Sequence, residues 1–327
     1  MIAYYVHHHG RGHLNRALAI TRHLTDGVIF LSSLAPPSGL RPSDRWVQLP
    51  MDVGSAGEPP VDPTANGRLH WVPEHVDGLA RRAALITGTL AAEQPRRIVV
   101  DVSVEVTLLA RLSGIPVTVM AMPGERDDAA HRLAYDVADS IVAPWSDDVY
   151  RPSWSARYAS RVHYVGSISR FDGRERPAAA PGAGPCGLLL AGAGGSAVPA
   201  DGVTDLQAAV PELTWRAIGG TAGWVDDPWP MIAAADLVVC HAGQNAVADV
   251  AIAEVPAIVV PEERPFDEQC STAAALDHAG VAVSAPGWPT RDQWPDLVAR
   301  ARSIDRHGWR RLRAVGAPAR AARVISA

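Results

Sequence analysis

Short apolar runs alternate with longer amphipathic stretches along most of the chain, and this pattern predicts the secondary structure. Short runs rich in Val, Ile and Leu are typical of buried strands. We predict strands at residues 2–6, 28–31, 46–49, 96–101, 117–120, 140–143, 187–191, 213–218, 237–240 and 256–260. We predict helices at residues 15–24, 76–93, 104–113, 246–254, 294–302 and 308–325. Strands that alternate with helices indicate an α/β fold with parallel sheets.

One segment interrupts this alternation. Residues 167–186 are rich in Pro, Gly, Ala and Arg and have neither a strand nor a helix pattern. The 327 residues are enough for two α/β domains. We therefore predict an N-terminal Rossmann-like domain at residues 1–166, an interdomain linker at 167–186 and a C-terminal domain at 187–327.

Composition narrows the class of protein. With 47% hydrophobic and 20% charged residues the chain is typical of a soluble globular protein, and no apolar run is long enough to span a membrane. A net charge of -5 gives no general attraction to nucleic acid or to an anionic membrane. The N-terminus lacks a signal-peptide pattern, which favours a cytoplasmic location. No pattern in the sequence predicts the oligomeric state.

The types of reactive residue in the chain exclude some catalytic mechanisms and some metal sites. All 30 basic residues are Arg, so a catalytic or phosphate-binding Lys is absent. The three Cys residues are widely spaced and form neither a disulfide framework nor a metal-ligand pattern. We expect no metal and no bound cofactor.

The most informative stretch is residues 235–274. A predicted strand ends in the polar turn His-Ala-Gly-Gln-Asn and continues into a helix. In an open α/β sheet this is where ligands bind, and the N–H groups of a helix N-terminus suit a phosphate. One turn into the helix an Asp is placed to accept hydrogen bonds from ribose hydroxyls, and Asp-Glu-Gln after the next strand suits sugar hydroxyls. The candidate binding residues are His241, Gly243, Gln244, Asn245, Asp249, Glu268 and Gln269.

A second polar loop, Gly10-Arg11-Gly12-His13, follows the first strand. It lacks the third glycine and the later acid of a dinucleotide-binding loop, so a Rossmann cofactor site is disfavoured. A neutral imidazole is suited to act as a base near neutral pH, and His13 is the candidate. Asp101, at the end of a strand, is either its orienting acid or the cap of the next helix. We interpret the preceding His7-His8-His9 as rim residues, because consecutive extended residues face opposite ways.

These motifs resemble known enzymes. His-Ala-Gly-x-Asn, an acid four residues on, a Val-rich strand ending at Pro261 and Asp-Glu-Gln resemble the donor-binding segment of GT-B glycosyltransferases. The families concerned are the UDP-sugar-dependent family 1 enzymes and the family 28 N-acetylglucosaminyltransferase of peptidoglycan synthesis. The resemblance implies two Rossmann-like domains with parallel sheets facing across a cleft, and a last helix that crosses back to the first domain.

The resemblance also implies roles for individual residues. It places the diphosphate at His241 and residues 243–245, the ribose at Asp249 and the sugar at Glu268 and Gln269. A glycine loop would hold the diphosphate from the other side, and the backbone around Val225 would meet the base. The residues of that loop are Gly192, Gly194, Gly195 and Ser196. Asp249 stands where Glu is more usual and Ala246 where a hydroxyl residue is common, which leaves the nucleotide preference open.

The implied activity is that of an inverting, metal-independent glycosyltransferase. Gly12 and His13 would face the cleft, with His13 as the base, Asp101 as its partner and a UDP-sugar as the donor. Acceptor loops are expected at residues 36–73 and 123–132, although they do not indicate an acceptor. One alternative is a nucleotide-sugar hydrolase, because Gly12-His13-x-x-Arg16 resembles the start of such enzymes and makes Arg16 a possible substrate contact. A catalytically silent nucleotide-sugar-binding protein is the other.

Overall fold

Two parallel sheets form the framework of the protein in a computed structural model that describes residues 1–54, 59–177, 184–192 and 198–327. The predicted loop residues Gly194, Gly195 and Ser196 lie outside these ranges. No helix in the described ranges is long and apolar enough to cross a membrane. The predicted α/β class with two parallel-sheet domains is confirmed.

The first sheet contains seven strands. They are β1 (Ile2–Val6), β2 (Val28–Ser32), β3 (Arg45–Gln48), β4 (Ile98–Asp101), β5 (Val117–Met120), β6 (Ser140–Ala143) and β7 (Val162–Tyr164). Their order is β3-β2-β1-β4-β5-β6-β7, and every pair is parallel. The helices of this half are α1 (Gly12–Thr21), α2 (Asp77–Glu93), α3 (Val104–Leu112) and α4 (Ala129–Val137). The register pairs Val6 with Asp101, so the loop after β1 and the end of β4 share one edge.

The second sheet contains five strands. They are β8 (Cys186–Leu190), β9 (Thr214–Ile218), β10 (Leu237–Cys240), β11 (Ala257–Val259) and β12 (Val283–Ser284), in the order β12-β11-β10-β8-β9. The helices around it are α5 (Gly202–Ala209), α6 (Trp229–Ala234), α7 (Gln244–Ala253), α8 (Glu268–His278) and α9 (Trp294–Ser303), and α10 (Ala317–Ser326) ends the chain. Leu190 and Cys240 are paired, so the loops that follow β8 and β10 leave the sheet side by side.

Two predictions about local structure were only partly right. An acceptor loop was expected at residues 123–132; residues 123–128 form a loop, but α4 begins at Ala129, and its N-cap Asp128 accepts hydrogen bonds from the N–H groups of Ala130 and His131. The predicted helix at 308–325 is broken into a short 3-10 helix, Arg306–Leu312, and α10. The break falls where Arg313 and Gly316 have φ of 52° and 72°, left-handed values that end a helix.

The chain passes between the two sheets twice. β7 ends at Tyr164 and β8 begins at Cys186, so the first crossing falls in the predicted linker, where Ile168 is buried against the first sheet and Phe171 against the second. The second crossing precedes α10. This helix packs Ala321 and Ile325 into the core formed by β1 and α1, although it follows the whole second sheet in sequence. The last helix therefore joins the domains by an apolar contact.

We expect this contact to contribute strongly to stability. Ala321 has no exposed surface, whereas Ser326 on the same helix is exposed. Ala321→Asp buries a carboxylate in the apolar core and should lower the free energy of unfolding by about 3 kcal/mol or more. Ser326→Asp adds the same charge in solvent and should change it by less than about 0.5 kcal/mol. Denaturant unfolding of both variants tests this, and equal effects would show that α10 is not held as described.

Candidate active site

A cleft of about 250 Å³ lies between the two domains, where the loop after β1 faces the loop after β10. The domains approach closely here: a Cβ atom on Gly12 would lie 2.7 Å from Asn245 Nδ2. A side chain at position 12 would therefore displace the Asn245 amide. The cleft brings together residues that the sequence analysis selected from both halves of the chain.

His13 and Asp101 are in contact at the floor of the cleft. His13 Nδ1 lies 2.8 Å from Asp101 Oδ1, and Asp101, the last residue of β4, is completely buried. The Arg16 Nε donates to Asp101 Oδ2 at 3.0 Å, and Arg16 Nη2 donates to Oδ1 at 2.5 Å. Burial opposes ionisation of Asp101, but the charge of Arg16 and the contact with His13 outweigh it and hold the pKa of Asp101 well below its ordinary value.

The cap of the next helix is a different residue. Ser103 is the N-cap of α3, and its side chain accepts a hydrogen bond from the N–H of Val106. Asp101 instead contacts His13, Arg16 and the Tyr4 hydroxyl, which donates to Oδ2 at 3.5 Å. The structure therefore excludes the interpretation of Asp101 as the cap of the next helix.

Arg16 connects this group to the second domain. Its Nη1 donates to Gln244 Oε1 at 2.7 Å, while the rest of the guanidinium contacts Asp101. The Arg16 side chain is only 3% exposed. Predicted as a possible substrate contact, it lines the cleft from behind His13 and has its donors occupied by protein groups.

The loop after β10 has a compact, glycine-dependent shape. Gly243 is the N-cap of α7, and its N–H donates to His241 Nδ1 at 3.0 Å. A Cβ on Gly243 would lie 2.4 Å from His241 Cε1, and one on Gly192 would lie 3.0 Å from His241 Nε2. Burial lowers the pKa of His241 and favours a neutral ring. Among the described residues predicted to hold the diphosphate, Gly192, His241 and Gly243 are thus adjacent, and the N-terminus of α7 borders the cleft.

Asp249 lies deeper in the same wall. It is 5% exposed, and its Oδ1 accepts a hydrogen bond from Ser169 Oγ at 2.6 Å. Arg170 Nε is 3.7 Å from Asp249 Oδ2. Burial, only partly offset by Ser169 and Arg170, raises the pKa of Asp249 to about 6. Ser169 and Arg170 belong to the segment read as a linker, and no motif in the sequence marks them.

The two residues predicted for the sugar differ in position. Glu268, the first residue of α8, lines the cleft, and Arg126 Nη2 of the first domain donates to its Oε2 at 3.3 Å. Gln269 is buried, and its Oε1 accepts hydrogen bonds from the N–H groups of Ala242 and Glu262, at 3.1 and 3.0 Å. Gln269 was predicted to contact the sugar. Its carboxamide oxygen instead joins the loops that follow β10 and β11.

The predicted base region lies at the edge of the cleft. Val225 packs its side chain against the core of the second domain, and only its backbone is available for a contact. The neighbouring Trp224 lines the cleft, and the Arg11 guanidinium lies 5.7 Å from the centre of its ring. Sequence reasoning missed Trp224, although its position beside Val225 was a signal that could have identified it.

One group in the described ranges has the composition of a metal site. The ligand atoms of His70, Asp128 and His131 lie within 4.8 Å of one another. However, His131 Nδ1 contacts Asp128, while its Nε2 is 3.3 Å from the Arg126 guanidinium, a donor. A metal-bound imidazole needs an acceptor at its second nitrogen, so the surroundings do not fit a ligand. A neutral His131 that donates to Asp128 and accepts from Arg126 explains the contacts, and burial lowers its pKa to about 4.

Solved structures with the same architecture define the class. The glycotransferase of kitacinnamycin superposes with a TM-score of 0.72 at 16% identity, over 99% of this chain and 98% of that one. The MurG structure from Acinetobacter baumannii superposes with a TM-score of 0.63 at 17% identity, over 99% and 98%. At these identities the similarity concerns the fold, which is that of the GT-B glycosyltransferases.

Sequence comparison points to one family within that class. Residues 221–286 match the glycosyltransferase family 28 C-terminal domain. The UDP-N-acetylglucosamine--N-acetylmuramyl-(pentapeptide) pyrophosphoryl-undecaprenol N-acetylglucosamine transferase of Cupriavidus metallidurans is 29% identical over 180 residues. These residues are 47% of this chain and 48% of that protein, so the match spans about half the length of each. The resemblance inferred from the His-Ala-Gly-x-Asn motif is confirmed.

Asp249 predicts a pH-dependent stability. Its pKa is about 6 in the folded protein, whereas an unfolded Asp titrates near ~3.9. Between these values the folded protein binds more protons, so the free energy of unfolding falls as the pH rises. Asp249→Asn keeps an oxygen for Ser169 and removes this loss. It should exceed the wild type in stability by up to about 3 kcal/mol at pH 7, with no advantage near pH 4.

Denaturant unfolding between pH 4 and pH 7 measures this difference. Asp127→Asn, at an exposed position, is the control and should follow the wild type at every pH. If the free energy of unfolding of Asp249→Asn changes with pH in parallel with that of the wild type, the raised pKa of Asp249 is contradicted.

Proposed function

We propose that the protein is a glycosyltransferase that moves a sugar from a UDP-sugar to a hydroxyl group of a small-molecule acceptor, with inversion at the anomeric carbon. The observation that carries the proposal is the contact of His13 with Asp101 directly across the cleft from the N-terminus of α7. A base and a diphosphate-binding loop thus face one space. The family 28 domain match and the UDP-sugar in the name of the Cupriavidus metallidurans protein support the donor class.

His13 would act as the base. Asp101 accepts a hydrogen bond from Nδ1–H, which leaves the lone pair of Nε2 free to take a proton. The acceptor oxygen loses its proton to Nε2 and bonds to the anomeric carbon, while the bond from that carbon to the diphosphate oxygen breaks. UDP leaves with the electron pair. Holding donor and acceptor between two domains makes the reaction effectively intramolecular.

The second domain would stabilise the leaving group. Negative charge grows on the diphosphate as the bond breaks, and the N–H groups at the start of α7 are fixed in place to receive it. His241 and Gly192 border the same space. This arrangement can supply the charge stabilisation for which other transferases use a metal ion.

Asp249 would hold the ribose and Glu268 the sugar. Both carboxylates line the cleft, and Glu268 is oriented by Arg126 from the first domain. Burial raises the pKa of Glu268 above its ordinary value, with Arg126 opposing this effect. The ribose and sugar contacts would therefore weaken as the pH falls, because a protonated carboxyl accepts hydrogen bonds less strongly.

Hydrolysis of a nucleotide sugar is the second candidate function. The pattern Gly12-His13-x-x-Arg16 supports it, because this pattern resembles the start of hydrolases on this fold. Water would then replace the acceptor hydroxyl, with the same base. Release of UDP that does not depend on an acceptor would distinguish the hydrolase from the transferase.

Nucleotide binding tests the donor site. Asn245 borders the cleft beside Gly12, and loss of its amide should lower the affinity for UDP at least tenfold, or about 1.4 kcal/mol. Calorimetric titration of UDP, GDP and TDP into the wild type and Asn245→Ala measures this effect and the base preference. We expect UDP to bind most tightly. If none of the three nucleotides binds the wild type, transferase and hydrolase are both excluded.

Removal of the base tests catalysis. His13→Ala should lower kcat by about a thousandfold, within the range for general bases, and change UDP affinity less than threefold, because His13 faces the acceptor. The control is His163→Ala, on an exposed position of β7. UDP release measured with UDP-glucose and UDP-N-acetylglucosamine, with and without hydroxylated acceptors, gives the rates. A loss of tenfold or less would contradict the role of His13 as the base, and a wild type that binds UDP but releases none from either sugar would favour a silent binding protein.

A further inference from the structure

A second cavity, of about 320 Å³, extends from the cleft into the first domain. One wall consists of the stacked rings of His7, His8 and His9, with ring centres 4.7 Å apart for His7 and His8 and 4.9 Å apart for His7 and His9. The other walls are largely apolar and include Trp71 and Ile86. The three His residues, interpreted as rim residues from the sequence, thus line one wall of a cavity large enough for a small ligand.

The cavity opens toward the candidate base. The ring centre of His7 is 5.8 Å from that of His13, and His9 borders both the cavity and the cleft. A molecule in the cavity can therefore place a hydroxyl at His13 while its body rests against the His rings.

The cavity has an excess of negative charge. Among the described residues that line it, Asp52 and Glu105 are acidic and Arg82 is the basic one. Arg82 is already committed, because it donates to the Tyr5 hydroxyl and to Pro50 O and lies 3.7 Å from Asp52. Burial and the neighbouring basic groups lower the pKa of His7 to about 3, so its ring is neutral. Within the described ranges, Glu105 is thus left without a cation, and its charge is held only by hydrogen bonds from the N–H groups of His70 and Trp71 and from the Ser103 hydroxyl.

From these features we propose that the acceptor is a ring-containing hydroxyl compound with an apolar body and no anionic group, bound in this cavity. The inference rests on the proposed transferase function and specifies its acceptor. A phosphate or carboxylate would meet Asp52 and Glu105 and find Arg82 already paired, whereas a neutral or amine-bearing ring system gains the apolar walls and the His stack.

Three matched compounds test this inference by calorimetric titration in the presence of saturating UDP. They are 2-naphthol, 6-hydroxy-2-naphthoate and 6-(aminomethyl)-2-naphthol, which share one ring system and differ in charge. We expect the neutral and amine-bearing compounds to bind, and the carboxylate to bind at least tenfold more weakly. Glu105→Gln should narrow that difference, because it removes one of the opposing charges.

Two substitutions on α2 locate the binding. Ala83 lines the cavity, and Ala83→Phe should fill it and weaken binding of 2-naphthol at least tenfold. Ala84 is exposed on the same helix, and Ala84→Phe should leave binding unchanged. UDP affinity, measured in the same variants, should stay constant.

The outcomes are distinct. The inference is overturned if no naphthol binds, if the naphthoate binds as tightly as 2-naphthol, or if Ala83→Phe has no effect. If UDP itself does not bind, the proposed function fails as a whole. If UDP binds and the naphthols do not, the donor site stands and this acceptor class is wrong.

Discussion

One buried carboxylate organises the cleft. Asp101 lies at the end of the central strand β4 without solvent contact, and an ionised carboxylate in that position requires compensating charge and hydrogen bonds. Arg16 and His13 supply them, and Arg16 extends the network to Gln244 in the second domain. The orientation of the candidate base and the approach of the donor loop therefore depend on the same ion pair.

Close backbone approach makes this network possible. Gly12 faces the Asn245 amide, and Gly124 lies so close to the backbone at Phe266 O that a side chain at position 124 would separate the domains there. The apolar packing of α10 on the first sheet holds the domains from the opposite direction. Polar contacts inside the cleft and an apolar contact outside it thus act together to hold the cleft in a defined geometry.

The two halves of the site differ in electrostatic character. The proposed donor side presents the N-terminus of α7 and more Arg than carboxylate residues, whereas the proposed acceptor cavity contains more carboxylate than free cation. A negatively charged diphosphate is attracted to the first and repelled by the second. This separation would keep the donor in its own half and leave the cavity beside His13 to an uncharged group.

The sequence by itself determined most of the strands, several of the helices and many residues of the candidate donor site. A Val-rich run, a glycine turn and a helix-forming stretch define β10, the phosphate loop and α7 through short-range backbone preferences, so His241, Asn245 and Asp249 could be identified. Only the tertiary structure decided between cap and partner for Asp101, whose contact with His13 joins residues 88 positions apart. The tertiary structure also determined that Gln269 hydrogen-bonds the backbone, that Glu268 pairs with Arg126 and that the C-terminal helix is broken. These depend on which strands are neighbours and how closely two sheets approach, and no local pattern of hydrophobic and polar residues carries that information.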